Sequence, residues 1–206
     1  MRVRKSATTR KAEIIDAALR LADKVGPDRL TTSAIADAVG VTQPAIFRHF
    51  PKKQDLWQSV AERIGATMEA RWDKARSLDD TPIDQICVLV AGQLRLIQTT
   101  PAITAILFSR ELHAKNQGLR RAFFELLGRF HQVLAGLAAD ARDAGELRSD
   151  LAPNDVASLI LGLVQGLAVR WSISGRGFDL ADEGSRLLAI QLDGFARGRA
   201  AVLEEG

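Results

Sequence analysis

The segment Thr31–Leu56, TTSAIADAVGVTQPAIFRHFPKKQDL, constrains this chain more than any other. Two short helical runs, 33–39 and 43–49, are separated by Gly40-Val41-Thr42 and closed by Pro51. Two short helices joined at a steep angle by a three- or four-residue turn form a helix-turn-helix. That geometry needs a small residue where the helices approach, and Ala36 supplies it. It needs a turn residue tolerant of positive φ, and Gly40 supplies that. Ile35, Val39, Val41 and Ile46 provide the inward apolar groups, with Phe50 closing a small core against a preceding helix. Thr31-Thr32 and Thr42 stand where helix caps are wanted, and Pro44 is tolerated in a first turn.

The outward positions are then Gln43, Arg48 and His49, with Thr42 at the helix start. These are hydrogen-bonding groups suited to base edges and phosphates. The charge distribution agrees. Met1–Trp57 carries 11 Lys/Arg and 6 Asp/Glu, whereas the remainder carries 17 and 19, within an overall net charge of +3. A basic first quarter on a near-neutral body aims one end at a polyanion, although a merely solvated face has the same composition.

Almost everything else reads as helix: strand alternation is absent, there is no tyrosine, and Ala, Leu, Arg and Gln dominate. Ile14, Ile15, Ala18, Leu19, Ala22 and Val25 share one face of a first helix over 10–25, ended by Gly26-Pro27. A long fourth helix starts near Lys53 and reaches about Ser77, before the polar break Asp79-Asp80-Thr81-Pro82. Further helices are predicted over 82–100, 102–114, 119–144, 150–174 and 179–199. The most apolar stretch, Val156–Val169, is 14 residues long and contains Gln165. It is shorter than the roughly 20 residues a membrane span requires, so it is expected as a buried helix.

Several function classes find no support. Three histidines, at 49, 113 and 131, and a single Cys87 give neither metal-ligand spacing nor a disulfide framework. No Gly-rich phosphate loop is present, and the Gly162–Gly166 spacing is a packing feature. The chain is therefore expected to be no enzyme and to need no metal or cofactor. The basic start runs into Ser6-Ala7-Thr8-Thr9 rather than an apolar core, so no signal peptide is read, and a cytoplasmic, non-membrane location is expected.

Ile35-Ala36, Gly40-Val41-Thr42, Ile46-Phe47, His49-Phe50, Lys53 and Leu56, with a helix before and a long helix after, resemble the DNA-binding signature of the TetR (tetracycline-repressor) family. The resemblance covers roughly 10–64, about a quarter of the chain. It implies an all-α protein: an N-terminal three-helix helix-turn-helix domain over 8–68, joined by a long helix to a helical ligand-binding and dimerisation domain over 69–206. It implies that Gln43, Pro44 and Ala45 open a recognition helix facing the major groove, and that Arg48 reaches a base or phosphate. His49 would sit against the backbone, Thr32 and Thr42 would donate to phosphates, and Lys53 would pair with one. Lys52 and an arm of Arg2, Arg4, Lys5 and Arg10 would add nonspecific charge. One departure stands out. Phe47 occupies a position where the family commonly has tyrosine, so a phosphate bond is replaced by apolar contact with a thymine methyl or a sugar.

The resemblance further implies a sequence-specific transcriptional regulator, a repressor, acting on double-stranded DNA as a homodimer at a pseudo-palindromic operator. An unidentified small-molecule effector would modulate its DNA affinity. An architectural DNA-binding protein of the same fold without such a switch is the alternative. The last two helices are the expected dimer elements: Val156, Leu159, Ile160, Leu163, Val164 and Leu167 make a broad apolar surface on one, where Gly162, Gly166 and Ala168 allow close approach, and Leu187, Leu188, Ile190, Leu192 and Phe195 make a second apolar face on the other. Both could equally pack within one subunit. Candidates for the effector pocket are Met68, Trp72, Gln93, Phe108, His113, Phe124, Gln165 and Trp171, with Arg95 and Arg170 as arginines that would need an anionic partner if buried.

Overall fold

A computed structural model describes residues 6–196 and forms ten α-helices there, with no strand among the described residues. They are α1 (Ala7–Val25), α2 (Thr32–Val39), α3 (Gln43–His49), α4 (Lys53–Arg76) and α5 (Pro82–Thr99), followed by α6 (Ala102–Leu107), α7 (Arg110–Lys115), α8 (Gln117–Asp143), α9 (Pro153–Ile173) and α10 (Leu180–Ala196). Arg2, Arg4 and Lys5 of the expected basic arm, and the end of the last helix beyond 196, lie outside the described residues.

By packing, the chain separates into two compact units. The first comprises the chain up to Thr67 together with Thr100–Leu126, and the second Met68–Thr99 with the chain from Leu127 onward.

In the first unit, α1 begins one turn earlier than its apolar face requires, because Ser6 is a better cap than anything at Arg10. The Ser6 hydroxyl accepts from the Thr9 amide at 3.1 Å. Ile14, Ile15, Ala17, Ala18 and Ala22 are buried, whereas Val25, in the last turn before Gly26 at φ 84°, faces outward. α1 packs on α2, α3 and α6. The single helix expected over 102–114 is two. Ser109 takes an extended conformation and caps α7, its hydroxyl accepting from Leu112 N at 3.0 Å and donating to Asp28 Oδ1 at 2.7 Å. That pair of bonds satisfies polar groups that a continuous helix would leave unpaired.

The second unit is built on α5, packed against α9 and α10. Its closest approach is at Gly184 of α10, where a Cβ would run into Leu94 of α5. Gln98 of α5 caps α10, its Oε1 accepting from Leu180 N at 2.8 Å and Ala181 N at 3.0 Å. α9, expected as a buried helix, is buried along one face only. Val156, Ile160, Val164, Leu167 and Trp171 are inside, while Leu159 and Ile173 are 52% and 81% exposed. By length and composition it is long and apolar enough to cross a membrane. Its burial against α5 and α10 is that of a core helix with one unpartnered side.

Candidate nucleic-acid interface

The turn between α2 and α3 is built by Gly40. It ends α2 in the left-handed conformation, φ 71° and ψ 41°, and the following Val41 amide closes onto Ala36 O at 3.0 Å. Thr31 caps α2, its hydroxyl accepting from Ala34 N at 3.1 Å. Thr42 corrects the expectation. It occupies the cap position of α3, but its side chain makes no cap bond there and is exposed.

Ile35 and Ile46 are fully buried, and Phe50 is buried beside them with the Lys11 ammonium 5.7 Å from its ring centroid. Seated on Ile46, α3 turns its other face outward. Gln43, Pro44, Phe47 and Arg48 are exposed, and Ala45 and His49 are half-buried. Phe47 keeps 41% of its surface accessible, a large apolar group on that outward face. The Gln43 carboxamide donates through Nε2 to the Thr32 hydroxyl at 2.8 Å, so two residues expected to touch DNA separately are held as a pair.

Lys53 opens α4, and its ammonium donates to the Leu30 carbonyl. Burial holds its pKa below the ordinary lysine value, with Asp28 acting the other way and Lys115 reinforcing burial. One carbonyl uses one of the three ammonium protons, leaving two for a phosphate or another acceptor. The Lys52 amide donates to Asp55 Oδ2 at 2.9 Å, fixing the start of the helix. Arg10 is tied to Glu13 at 2.9 Å and Arg63 of α4 to Asp16 of α1 at 3.6 Å, so these two arginines are partly neutralised.

The residues named from sequence as effector contacts divide between the units. Phe108, His113 and Phe124 belong to the first. Phe108 and Phe124 are exposed, while His113 places Nε2 2.9 Å from Leu107 O and its ring edge-on to Phe123. In the second unit, three candidates meet. Trp72 Nε1 donates to Gln93 Oε1 at 3.0 Å, Gln93 Nε2 donates to Met68 Sδ at 3.6 Å, and Trp72 stacks on Phe130 at 5.0 Å. Arg170 and Trp171 form a separate group on α9 with Gln165 half-buried above them in the chain. Trp171 donates to Phe178 O at 3.0 Å, and Arg170 pairs with Glu183 at 2.9 Å while lying over the Phe178 ring. Arg95 and Arg170 are both exposed, so neither is a buried cation in want of a ligand.

Sequence reasoning missed a cleft of about 540 Å³ in the second unit, between the end of α4 and α8. Glu69, Trp72, Asp73 and Arg76 line one side, and Arg129, Gln132, Gly136 and Asp140 are on the other. Trp72 is its buried apolar wall, and Arg129 pairs with Glu69 at 2.6 Å. The repeat of polar residues at spacings of three and four on two helices was the available signal, but it resembles any solvated helix face.

Similarity to known proteins follows this geometry. Residues 14–60 match the family described as bacterial regulatory proteins, tetR family, and residues 82–197 match the C-terminal region of BetI-type transcriptional repressors. The nucleoid occlusion factor SlmA of Vibrio cholerae serotype O1 is 27% identical over 158 residues, covering 76% of this chain and 81% of its own. The fatty acid metabolism regulator protein of Bacillus subtilis is 24% identical over 183 residues, covering 88% and 93%. Among solved structures, a TetR transcription regulator from Haloarcula marismortui superposes with a TM-score of 0.79 at 18% identity, covering 91% of this chain and 98% of that one. FadR of Bacillus subtilis in complex with stearoyl-CoA gives 0.76 at 22% identity, covering 89% and 98%.

Proposed function

The chain belongs to the TetR family of bacterial regulatory proteins, a family of DNA-binding transcriptional regulators, and we propose that it is a cytoplasmic repressor reading its operator through α3. The observation that carries this reading is the outward face of α3. Gln43, Pro44, Phe47 and Arg48 are exposed on a helix whose opposite side is locked by Ile46. Gln43 and Arg48 supply base-edge donors and acceptors, Phe47 an apolar surface for a thymine methyl or sugar, and Thr42, His49 and Lys53 flank them as phosphate contacts. Thr32 acts through Gln43 as well as at the backbone. Division of labour along the sequence follows 8–68 for DNA and 69–206 for effector and partner.

The working form is a homodimer joined by α9 and α10. Leu159 and Ile173 on α9 and Ile190 on α10 are exposed apolar groups, and a Cβ at Gly162, Gly166 or Gly194 would meet no atom within 4 Å. Such open glycine faces beside large apolar groups suit close approach of a second copy's helices. Two reading heads then face a pseudo-palindromic site.

The effector site of this reading is the cleft between α4 and α8 in the second unit, whose wall Trp72 is bonded to Gln93 and, through it, to Met68. Its lining, an indole with carboxylates and guanidinium groups around it, suits a molecule with an apolar body and polar ends. FadR relatives solved with stearoyl-CoA or lauroyl-CoA support an effector of that amphipathic kind. α4 carries both Lys53 and Trp72, so an effector that favours one setting of that helix biases DNA binding.

Binding to DNA from the gene's own upstream region, measured against scrambled DNA across a salt series, tests the reading. Tight binding with a large specificity ratio is expected, and no binding to any DNA at low salt would overturn it. A second reading is a DNA-binding protein of the same fold without a small-molecule switch, to which the likeness to nucleoid occlusion factors lends only weak support. Loss of operator affinity on adding an effector separates the two.

A further inference from the structure

The exposed residues of α3 form one continuous arc. An α-helix turns by about 100° per residue, so Gln43, Phe47, Pro44 and Arg48 stand at roughly 60°, 100°, 160° and 200° from the buried Ile46. All four are exposed, whereas Ala45 and His49, at roughly 260° and 300° by the same geometry, are half-buried. The arc is therefore polar at its two rims, Gln43 and Arg48, and apolar in its middle, where Phe47 and Pro44 lie. Of these two, Phe47 carries the larger apolar group and keeps 41% of its surface accessible. The Gln43 rim is held in place by its 2.8 Å bond to the Thr32 hydroxyl at the start of α2.

An apolar centre between polar rims limits what can lie opposite it. The floor of the major groove presents donors and acceptors at every base pair, and its one apolar group is the 5-methyl of thymine. Sugars and phosphates form the edges of the groove, where residues at the rims of the arc and beyond meet them. A base pair without the methyl would set its donors and acceptors against a ring that cannot bond them, which costs free energy on desolvation.

We propose that Phe47 is a specificity-determining residue that reads the 5-methyl group of a thymine in each operator half-site, between the positions met by Gln43 and Arg48. The inference rests on the reading of α3 as the recognition helix and deepens it. The contact is made to the base and not to a sugar, so it discriminates sequence, and it is blind to the hydrogen-bonding edge of that thymine.

The test uses the full chain and the tightest-binding duplex it recovers from a randomised pool. Each thymine is replaced in turn by deoxyuridine, which removes the methyl and keeps the hydrogen-bonding edge. Affinities are measured by fluorescence anisotropy at low salt, where backbone contacts keep weakened variants bound. Expected is one thymine per half-site at which the replacement lowers affinity by about fourfold, the worth of one buried methyl. In Phe47→Ala and Phe47→Gln the same replacement should change affinity by less than roughly twofold, because the group that met the methyl is gone. Circular dichroism checks that both variants fold, and the uridine scan of the unmodified protein needs neither. A recovered site with no thymine, insensitivity of every thymine to loss of its methyl, or a penalty that persists in both variants overturns the inference while leaving α3 as the recognition helix. A loss of affinity in Phe47→Ala that is equal on thymine and uracil duplexes places the ring on a sugar and overturns it as well. Recovery of no duplex at all overturns the reading of α3 itself, and this inference with it.

Discussion

Gln43 Nε2 donates to Thr32 Oγ1 at 2.8 Å, tying the first residue of α3 to the first residue of α2. One amide proton and the Oε1 lone pairs of Gln43 are left for a base. Gln43→Ala is expected to lose about 1–3 kcal/mol of specific operator affinity with little change toward scrambled DNA. Thr32→Val, which removes the orienting hydroxyl, is expected to cost about 1 kcal/mol. The double variant should lose less than the sum, because both changes disable one contact. Fluorescence anisotropy with the four proteins closes the cycle, and simple additivity would count against the pairing.

Arg48 and Lys53 are expected to fail differently. If Arg48 reads a base as proposed, Arg48→Ala should lower the specificity ratio by about tenfold or more. Lys53→Met removes the cation proposed to meet a DNA phosphate. It should weaken binding to all sequences and reduce the magnitude of the slope of log K against log salt by about 0.9 per site. Parallel salt titrations on operator and scrambled DNA distinguish the two behaviours.

Ile190 of α10 is 60% exposed, so a charge there costs little within one subunit. Ile190→Glu is expected to leave the helical circular dichroism spectrum unchanged and to give a monomer in sedimentation equilibrium at micromolar concentration. Operator affinity should fall by at least tenfold, since one reading head is lost from each complex. A variant that remains dimeric would place the interface elsewhere.

Asp179 precedes α10, where its carboxylate accepts from Asp182 N at 2.9 Å and from Gln98 Nε2 at 3.0 Å. The Asp182 amide first, then Gln98, holds its pKa below the ordinary carboxylate value of 3.8. A depressed folded pKa means that the stability it contributes is present above the unfolded value and is lost as pH falls through the folded one. Asp179→Ala should therefore lower the Tm at pH 7. The gap from the unmodified protein should narrow as pH drops below about 4. A gap independent of pH between 7 and 2 would show that the carboxylate charge is not what stabilises this corner.

The helix-turn-helix was legible in the sequence because its determinants are close neighbours. Gly40 in the left-handed region, Thr31 as a cap and Ile35 and Ile46 as the seam all lie within the 16 residues Thr31–Ile46. Local chemistry of that range needs no knowledge of the rest of the chain. Helices α4, α5, α8, α9 and α10 were likewise bounded by local signals such as Pro82, Gly145 and Pro153. Their inward and outward faces were harder, since a continuous apolar helix such as α9 reads as buried all round until its neighbours are known.

By itself, then, the sequence determined an all-α chain with an N-terminal reading head, because periodicity, caps and a glycine turn are properties of consecutive residues. Tertiary structure alone decided what those elements do to one another. It broke the helix at Ser109 because Asp28, 81 residues away, accepts its hydroxyl. It assigned Gln98 to cap a helix 82 residues later, and it joined Trp72 to Gln93, 21 residues away. It also gathered Lys53 and Trp57 with α7 around one cavity. Such partnerships depend on where distant segments meet, and the pairing of one polar group with one among many across a fold is not encoded in any local pattern.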